Sequence, residues 1–412
     1  MAAHRLVVTK LVETAARGFF MLVCIYALPL EEAGRFGLIA TAVGLLAFAL
    51  GFERQIDVLR RVTGLPIGAV RGRFADTLRF FGVQYAVLVP VLLLAGWWAG
   101  VSPEHLALGL VILAGEHFSL QAYQAVLVSP RALPLMVVVA AKNLLQLLAV
   151  VAWIAFSDER LHIDWVLDLW AVSSLCYLVV AAVIWRVARR AAADDEADAL
   201  PPQSVAQQYR ASWMHFLVGA VAVAALQFDR LVVGGALGAA DVGVYFRNVT
   251  LAGIALQVFN VASFNRVAPG VYMHSRNGAS AVSAGVVRRE YRRFAGVLIA
   301  VAALVLGANL ALGEPLHRWH LETPFLVLMA TAVLLRAAAD YDGLILLSVG
   351  AEAAVFRNQA AAVAIGAATL FLMARAFGLI GAFAGALATP LLYLAFNRAS
   401  VRQRLAAGAL PT

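Results

Sequence analysis

Runs of twenty or more apolar residues recur along the whole chain, and they limit what it can fold into. The segment 133–156 holds Lys142 as its one charged residue, and 377–397 holds none. A helix needs about 20 such residues to cross a hydrocarbon core of about 30 Å. Spans are expected near 6–29, 36–58, 78–99, 105–128, 133–156, 165–188, 211–234, 241–265, 291–312, 323–349, 352–374 and 377–397. Twelve spans in 412 residues leave about 34 residues for each span and its loop, so almost nothing remains for an extramembrane domain. Hydrophobic residues make up 63% of the sequence and charged residues 14%, against about 45–50% and about 25% in soluble domains. One soluble core cannot hide that excess, because single cores stop growing near ~250–300 residues. A soluble globule, a disordered chain and a collagen-like chain are excluded. The expected class is an all-α polytopic membrane protein.

Lys10, Glu13 and Arg17 interrupt the first apolar stretch, and no small-residue cleavage site follows it. It therefore reads as a retained first span rather than a cleaved signal. Cys24 and Cys176 lie in apolar segments and make no disulfide or metal pattern.

The net charge of +8 invites a nucleic-acid reading, but the placement of the 32 Lys and Arg argues otherwise. With the N-terminus inside, 22 of them fall in cytoplasmic loops or tails, and four (Arg35, Arg160, Arg318 and Arg375) fall on the opposite side. This is a positive-inside bias. It predicts both termini in the cytoplasm and no nucleic-acid partner. Trp97, Trp98, Trp153, Trp165, Trp185 and Trp213 fall at span ends, where an aromatic belt belongs. Trp170 sits about a turn inside its span.

The longest polar stretch, 189–210, contains Asp194, Asp195, Glu196, Asp198, Pro201 and Pro202 and reads as a solvated linker. It divides the chain into a six-helix lobe over 1–190, a cytoplasmic linker over 191–210 and a second six-helix lobe over 211–412. Long loops follow the second and eighth spans, the same place in each half. Phe36-Gly37-Leu38-Ile39 aligns with Val242-Gly243-Val244-Tyr245 at an offset of 206, which also puts Arg60 on Arg266. An even number of spans per half makes these repeats parallel, with a substrate path expected between them.

Asp229-Arg230-Leu231-Val232-Val233-Gly234, then Leu237-Gly238 and Val242-Gly243-Val244-Tyr245, resembles the opening of the C-terminal lobe in Wzx-type polysaccharide-biosynthesis flippases. These belong to the multidrug/oligosaccharidyl-lipid/polysaccharide exporter superfamily. The segment from Ala27 to Gly37 is similar to that family's L-G-x-E-x-F-G turn, with Pro29-Leu30 where Leu-Gly is usual. The resemblance implies a MATE-like fold of two six-helix lobes around a central cavity. It implies alternating-access flipping of undecaprenyl-diphosphate-linked saccharide across the bacterial inner membrane, for O-antigen or exopolysaccharide synthesis. A monomer is expected, with a polysaccharide polymerase as a possible partner in the same membrane.

Ionisable groups away from the loops are the evidence carried by the residues themselves. Each costs ~2.5–3.5 kcal/mol at a helix centre. Six cations remain there: Arg17, Arg54, Lys142, Arg230, Arg247 and Arg336. They are the candidate substrate-binding residues, since Arg reads phosphate oxygens bidentately. Acids in or near the spans include Glu13, Glu53, Asp57, Glu116, Asp229, Asp340 and Asp342. So much charge calls for a wet interior that attracts anions, shared by the two halves. Local pairs are expected for Glu13–Arg17, Arg54–Asp57 and Arg336–Asp340. Lys142 has no acid within a turn and stands with Asn143 and Gln146. Arg247, Thr250 and Gln257 share one helix face, as do His117, Gln121 and Gln124. Glu116, His117, Asp229 and Asp340 are the ion-coupling candidates.

Three rivals are weighed. A multidrug or cation antiporter of the same superfamily calls for an acid-rich cavity. A membrane-embedded glycosyltransferase or polymerase would use a metal string such as Asp340-Tyr341-Asp342, which here falls inside an apolar span. A purely structural scaffold has no need of six buried cations. His317 and His320 are too few for a metal site. No phosphate-binding G-x-x-x-x-G-K-[ST] is present, so ATP is not the direct fuel. No cofactor, no metal and no enzyme activity are expected.

Overall fold

The computed structural model describes residues 2–54, 58, 67–98, 100–128, 133–191, 202–259, 263–264, 267–268, 270–271, 280–312 and 323–406. The main helices are α1 (Ala2–Ala27), α2 (Leu30–Gly51), α3 (Ile67–Trp98), α4 (Pro103–Val128), α5 (Leu133–Phe156) and α6 (Ile163–Ala191). There follow α7 (Val205–Ala236), α8 (Ala239–Phe259), α9 (Ser280–Leu312), α10 (Thr323–Ser348), α11 (Glu352–Ala386) and α12 (Ala388–Ala406). Among the described residues, seven apolar stretches are long enough to cross a membrane. Helix α1 is long enough as well, but Lys10, Glu13 and Arg17 interrupt it. Helices satisfy their own backbone hydrogen bonds, which is what a lipid solvent demands of a spanning segment.

Outward faces carry apolar stripes. On α6 Val172, Leu175, Val179 and Val183 are all exposed, at spacings that keep one helix face. On α3 Val83, Val87, Val91 and Leu94 form a similar stripe, ending in the exposed Trp97 and Trp98. In water such surfaces would associate; against acyl chains they are at equilibrium.

The chain forms two compact units. One comprises Met1–Leu28 and Ile39–Ala220, the other Pro29–Leu38 and Val221–Thr412. Within the first, α4 packs on α5 and α6, and α5 packs on α6. Within the second the same trio recurs, with α10, α11 and α12 in mutual contact. Helix α7 begins in the first unit. Phe52, at the end of α2, stacks on Phe216 of α7 at 4.1 Å between ring centroids, and Phe80 lies 4.7 Å from Tyr209. The first turns of α2 belong to the second unit because glycines let backbones approach there. A methyl group on Gly34 would strike the Ala239 carbonyl, and one on Gly243 would strike the Leu30 carbonyl. Small residues at a helix crossing are the usual device for close packing in membranes. Gly37 faces the Phe246 ring.

Helix α11 turns back on itself at Gly378, which has φ 62° and ψ −143°. That backbone region is open to glycine at little cost. Beyond the turn, Gly381 returns to the Met373 carbonyl and Gly385 to Leu370. The expected boundary between 352–374 and 377–397 therefore corresponds to a tight reversal, not a loop.

Candidate functional site

Buried charge in the first unit gathers on Glu116, in the middle of α4. Its side chain is 5% exposed and receives three charged or polar donors from three other helices. Arg17 of α1 lies 3.0 Å from Oε2. Lys142 of α5 donates to Oε1 at 2.8 Å. The indole Nε1 of Trp170, on α6, donates to the same oxygen at 3.0 Å. Lys142 also donates to the Ser119 hydroxyl at 3.2 Å and sits 5.6 Å from the centre of the Tyr177 ring. Two cations thus share one carboxylate, and the cluster carries a surplus positive charge. A buried charge without such partners would cost several kcal/mol (~3–5 for breaking a pair).

The two cations differ in access. The Lys142 side chain is 2% exposed, whereas that of Arg17 is 34% exposed. Lys142 is closed off from the surface of the protein, which Arg17 reaches. One turn before Arg17, Lys10 and Glu13 pair at 2.6 Å, and Asn143 of α5 donates to the other Glu13 oxygen at 3.2 Å. Gln146, a turn further along α5, donates to Ser173 of α6 at 2.5 Å.

This arrangement corrects one sequence expectation. Glu13 does not pair with Arg17; it takes Lys10 and Asn143, which leaves Arg17 to turn to α4. Lys142 has no acid within a turn of its own helix, as the sequence reads, and Glu116 reaches it from a neighbouring one. Glu116 and His117, as adjacent helix residues, point about 100° apart. His117 is fully buried on the other face of α4. Its Nδ1 lies 3.1 Å from the Tyr85 hydroxyl, and Phe81 packs edge-on at 4.5 Å. Among the described residues its Nε2 has no hydrogen-bond partner.

The remaining candidates lie elsewhere. Arg54, fully buried, donates to Gln203 at 2.6 Å; its expected partner Asp57 lies outside the described residues. Gln203 also donates its backbone N–H to Asp76, which pairs with Arg73 at 3.2 Å. In the second unit, Arg230 packs over Phe246 at 4.8 Å. Asp229 accepts the Tyr245 hydroxyl at 2.8 Å. Arg247 is half-buried on α8, and Thr250 on its face turns back to the Phe246 carbonyl at 2.8 Å. The Gln257 and Gln124 side chains lie outside the described residues, as do His317 and His320.

Arg336 and Asp340 form the expected pair, with Nε 3.0 Å and 3.1 Å from the two oxygens, and Tyr393 lies under the guanidinium. The Asp340-Tyr341-Asp342 string splits three ways. Asp340 takes Arg336, Asp342 takes Arg398 at 3.3 Å, and the Tyr341 hydroxyl meets Ser263 at 2.5 Å. Its two carboxylates are thus held by two separate cations. Among the described residues, no three His, Cys, Asp or Glu side chains gather as metal ligands.

Sequence reasoning missed Trp170 and Ser119. A Trp away from the aromatic belt was the available signal, because an indole N–H in a dry interior needs an acceptor.

No protein-family model matches the sequence, and no curated protein matches it. Solved structures do. An inward-facing multidrug resistance MATE family transporter of the MOP superfamily superposes with a TM-score of 0.69 at 14% identity, over 96% of this chain and 95% of that one. The eukaryotic MATE transporter AtDTX14 gives 0.61 at 13% identity, over 99% and 98%. A MOP superfamily transporter from Pyrococcus furiosus, described by the reverse polarity of its binding pocket, gives 0.58 at 12% identity, over 100% and 96%. The fold of this chain is that of the MATE-type transporters of the MOP superfamily.

Proposed function

We propose that this chain is a bacterial inner-membrane transporter for an anionic lipid-linked saccharide, of the undecaprenyl-diphosphate class. It moves the head group to the periplasmic side by alternating access. It does so as a monomer with both termini in the cytoplasm, alongside a polysaccharide polymerase. The observation that carries this reading is Arg17, its side chain 34% exposed, beside Glu116 and Lys142, a cluster with more cation than anion. A diphosphate brings roughly two negative charges, and Arg contacts phosphate oxygens through paired donors. In a low-dielectric surrounding such a contact is far stronger than in water.

The test is lipid-linked saccharide export in cells carrying Arg17→Ala. Export is lost while the protein reaches the membrane at its normal level. Normal export at normal protein level defeats the reading. A multidrug antiporter is the second reading, favoured by the fold shared with a multidrug resistance MATE transporter. Cationic drugs call for surplus carboxylate, whereas this cluster has surplus cation. The P. furiosus neighbour, with its reverse-polarity pocket, shows that the fold accommodates more than one electrostatic design. Growth against cationic dyes separates the two readings.

A further inference from the structure

We propose that Glu116 is a built-in anion that holds Arg17 between transport events and gives it up to a phosphoryl oxygen of the substrate. This rests on the reading of the chain as a transporter of an anionic diphosphate lipid, and it assigns the device that sets affinity and release at that site.

The hydrogen-bond pattern around the carboxylate carries the argument. Oε1 is held by two donors, Lys142 at 2.8 Å and Trp170 at 3.0 Å. Oε2 faces Arg17 at 3.0 Å. The donors on Oε1 come from side chains that are themselves buried, Lys142 at 5% and Trp170 at 2% residue exposure. The donor on Oε2, Arg17, is the one with a side chain 34% exposed. When Arg17 swings to an incoming phosphate, Glu116 keeps a full positive counter-charge in Lys142 and an indole N–H. It is never left as an orphaned buried anion, the state that makes breaking a buried pair so costly. Lys142 is held in turn by Ser119 and the Tyr177 ring. The exchange therefore replaces one charge-assisted contact on Arg17 with another.

The same logic explains release. A head group must be bound well enough to leave one leaflet and weakly enough to enter the other. An Arg with no internal partner would bind a diphosphate more tightly and release it more slowly. Glu116 competes for the guanidinium at every moment and caps the affinity. On this account Lys142 is a positioning residue that keeps Glu116 ionised and aimed, and Arg17 is the group that touches substrate.

The experiment measures binding of farnesyl diphosphate to detergent-purified full-length protein by calorimetry. Four proteins are compared: wild type, Arg17→Ala, Glu116→Gln, and Glu116→Gln with Lys142→Met. The double variant removes one positive and one negative charge together, so it leaves no unpaired buried lysine and does not alter the net charge of the cluster. Losing a charge-assisted competitor raises affinity by about tenfold, the factor that corresponds to ~1.4 kcal/mol. Arg17→Ala loses binding. If Arg17→Ala loses binding but the double variant binds no tighter than wild type, the role of Glu116 is overturned and the anionic-substrate reading stands. If wild type does not bind the probe, or Arg17→Ala binds as wild type does, that reading falls and takes the exchange with it.

Discussion

Removing the carboxylate from Glu116 should cost more stability than removing the amine from Lys142, and removing both should cost less than removing the carboxylate alone. In Glu116→Gln, the Lys142 ammonium keeps the Ser119 hydroxyl and the Tyr177 ring face but has no anion, in a side chain 2% exposed. Breaking a buried pair by removing one partner costs about 3–5 kcal/mol, because it leaves a buried charge uncompensated. In Lys142→Met, Glu116 retains Arg17 at 3.0 Å and the Trp170 indole at 3.0 Å, so the loss is smaller, about 1–2 kcal/mol for a hydrogen bond to a charged group. The double variant leaves no buried lysine unpaired but does take the carboxylate from Arg17, whose side chain is 34% exposed, so it should fall between the two single variants. For a unit of ~200 residues each kcal/mol moves the unfolding midpoint by ~2–4 °C. Glu116→Gln should therefore unfold ~6–20 °C below wild type in detergent, and the second substitution should restore part of that. The three variants and wild type form a double-mutant cycle with a coupling of ~2 kcal/mol or more. A Glu116→Gln protein as stable as wild type, or a double variant less stable than either single one, refutes the description of this cluster as a dry ion pair with a shared carboxylate.

Gly34→Leu and Gly243→Leu should abolish a monodisperse folded species on size-exclusion chromatography, since each side chain would enter a backbone carbonyl of the facing helix. Gly253→Ala, with open space around it, should elute as wild type does. His117→Asn should retain transport, because His117 faces Tyr85 and Phe81 rather than the Glu116 cluster; loss of transport at normal protein level would return His117 to the coupling machinery. The two ion pairs on α10 should separate by burial. Arg336→Met, from a pair whose side chains are 9% and 17% exposed, should cost about 3 kcal/mol. Arg398→Ala, from a side chain 54% exposed, should change stability by less than about 1 kcal/mol. Thermal unfolding of both variants in the same detergent checks this contrast.

Helix positions were readable from the sequence because lipid leaves the backbone few choices. The expected spans 133–156 and 323–349 lie almost residue for residue on α5 and α10. Gly37 and Gly243, aligned in the sequence, face different groups: the Phe246 ring and the Leu30 carbonyl. The reversal at Gly378 was not read from the sequence, which set only a boundary between 374 and 377; the positive φ there is known from the structure. The candidate site was legible only as an inventory. Arg17, Glu116 and Lys142 each stood out as a charge in an apolar run. Their grouping did not, because the available rule pairs residues three or four apart on one helix. That rule gave Arg336–Asp340 correctly and gave Glu13–Arg17 wrongly, since Lys10 and Asn143 compete for Glu13.

By itself the sequence determined that this chain is a set of apolar helices with both cations and acids placed inside them. Hydropathy and charge are local sums, and a bilayer reads them locally. Only the tertiary structure decided which carboxylate each cation meets, and which cation keeps a face open. Glu116 joins helices whose contributing residues are 99, 26 and 54 positions away in the chain. Such partners are chosen by how α1, α4, α5 and α6 pack together. That packing depends on side-chain shape along whole helix faces, which no short stretch of sequence encodes.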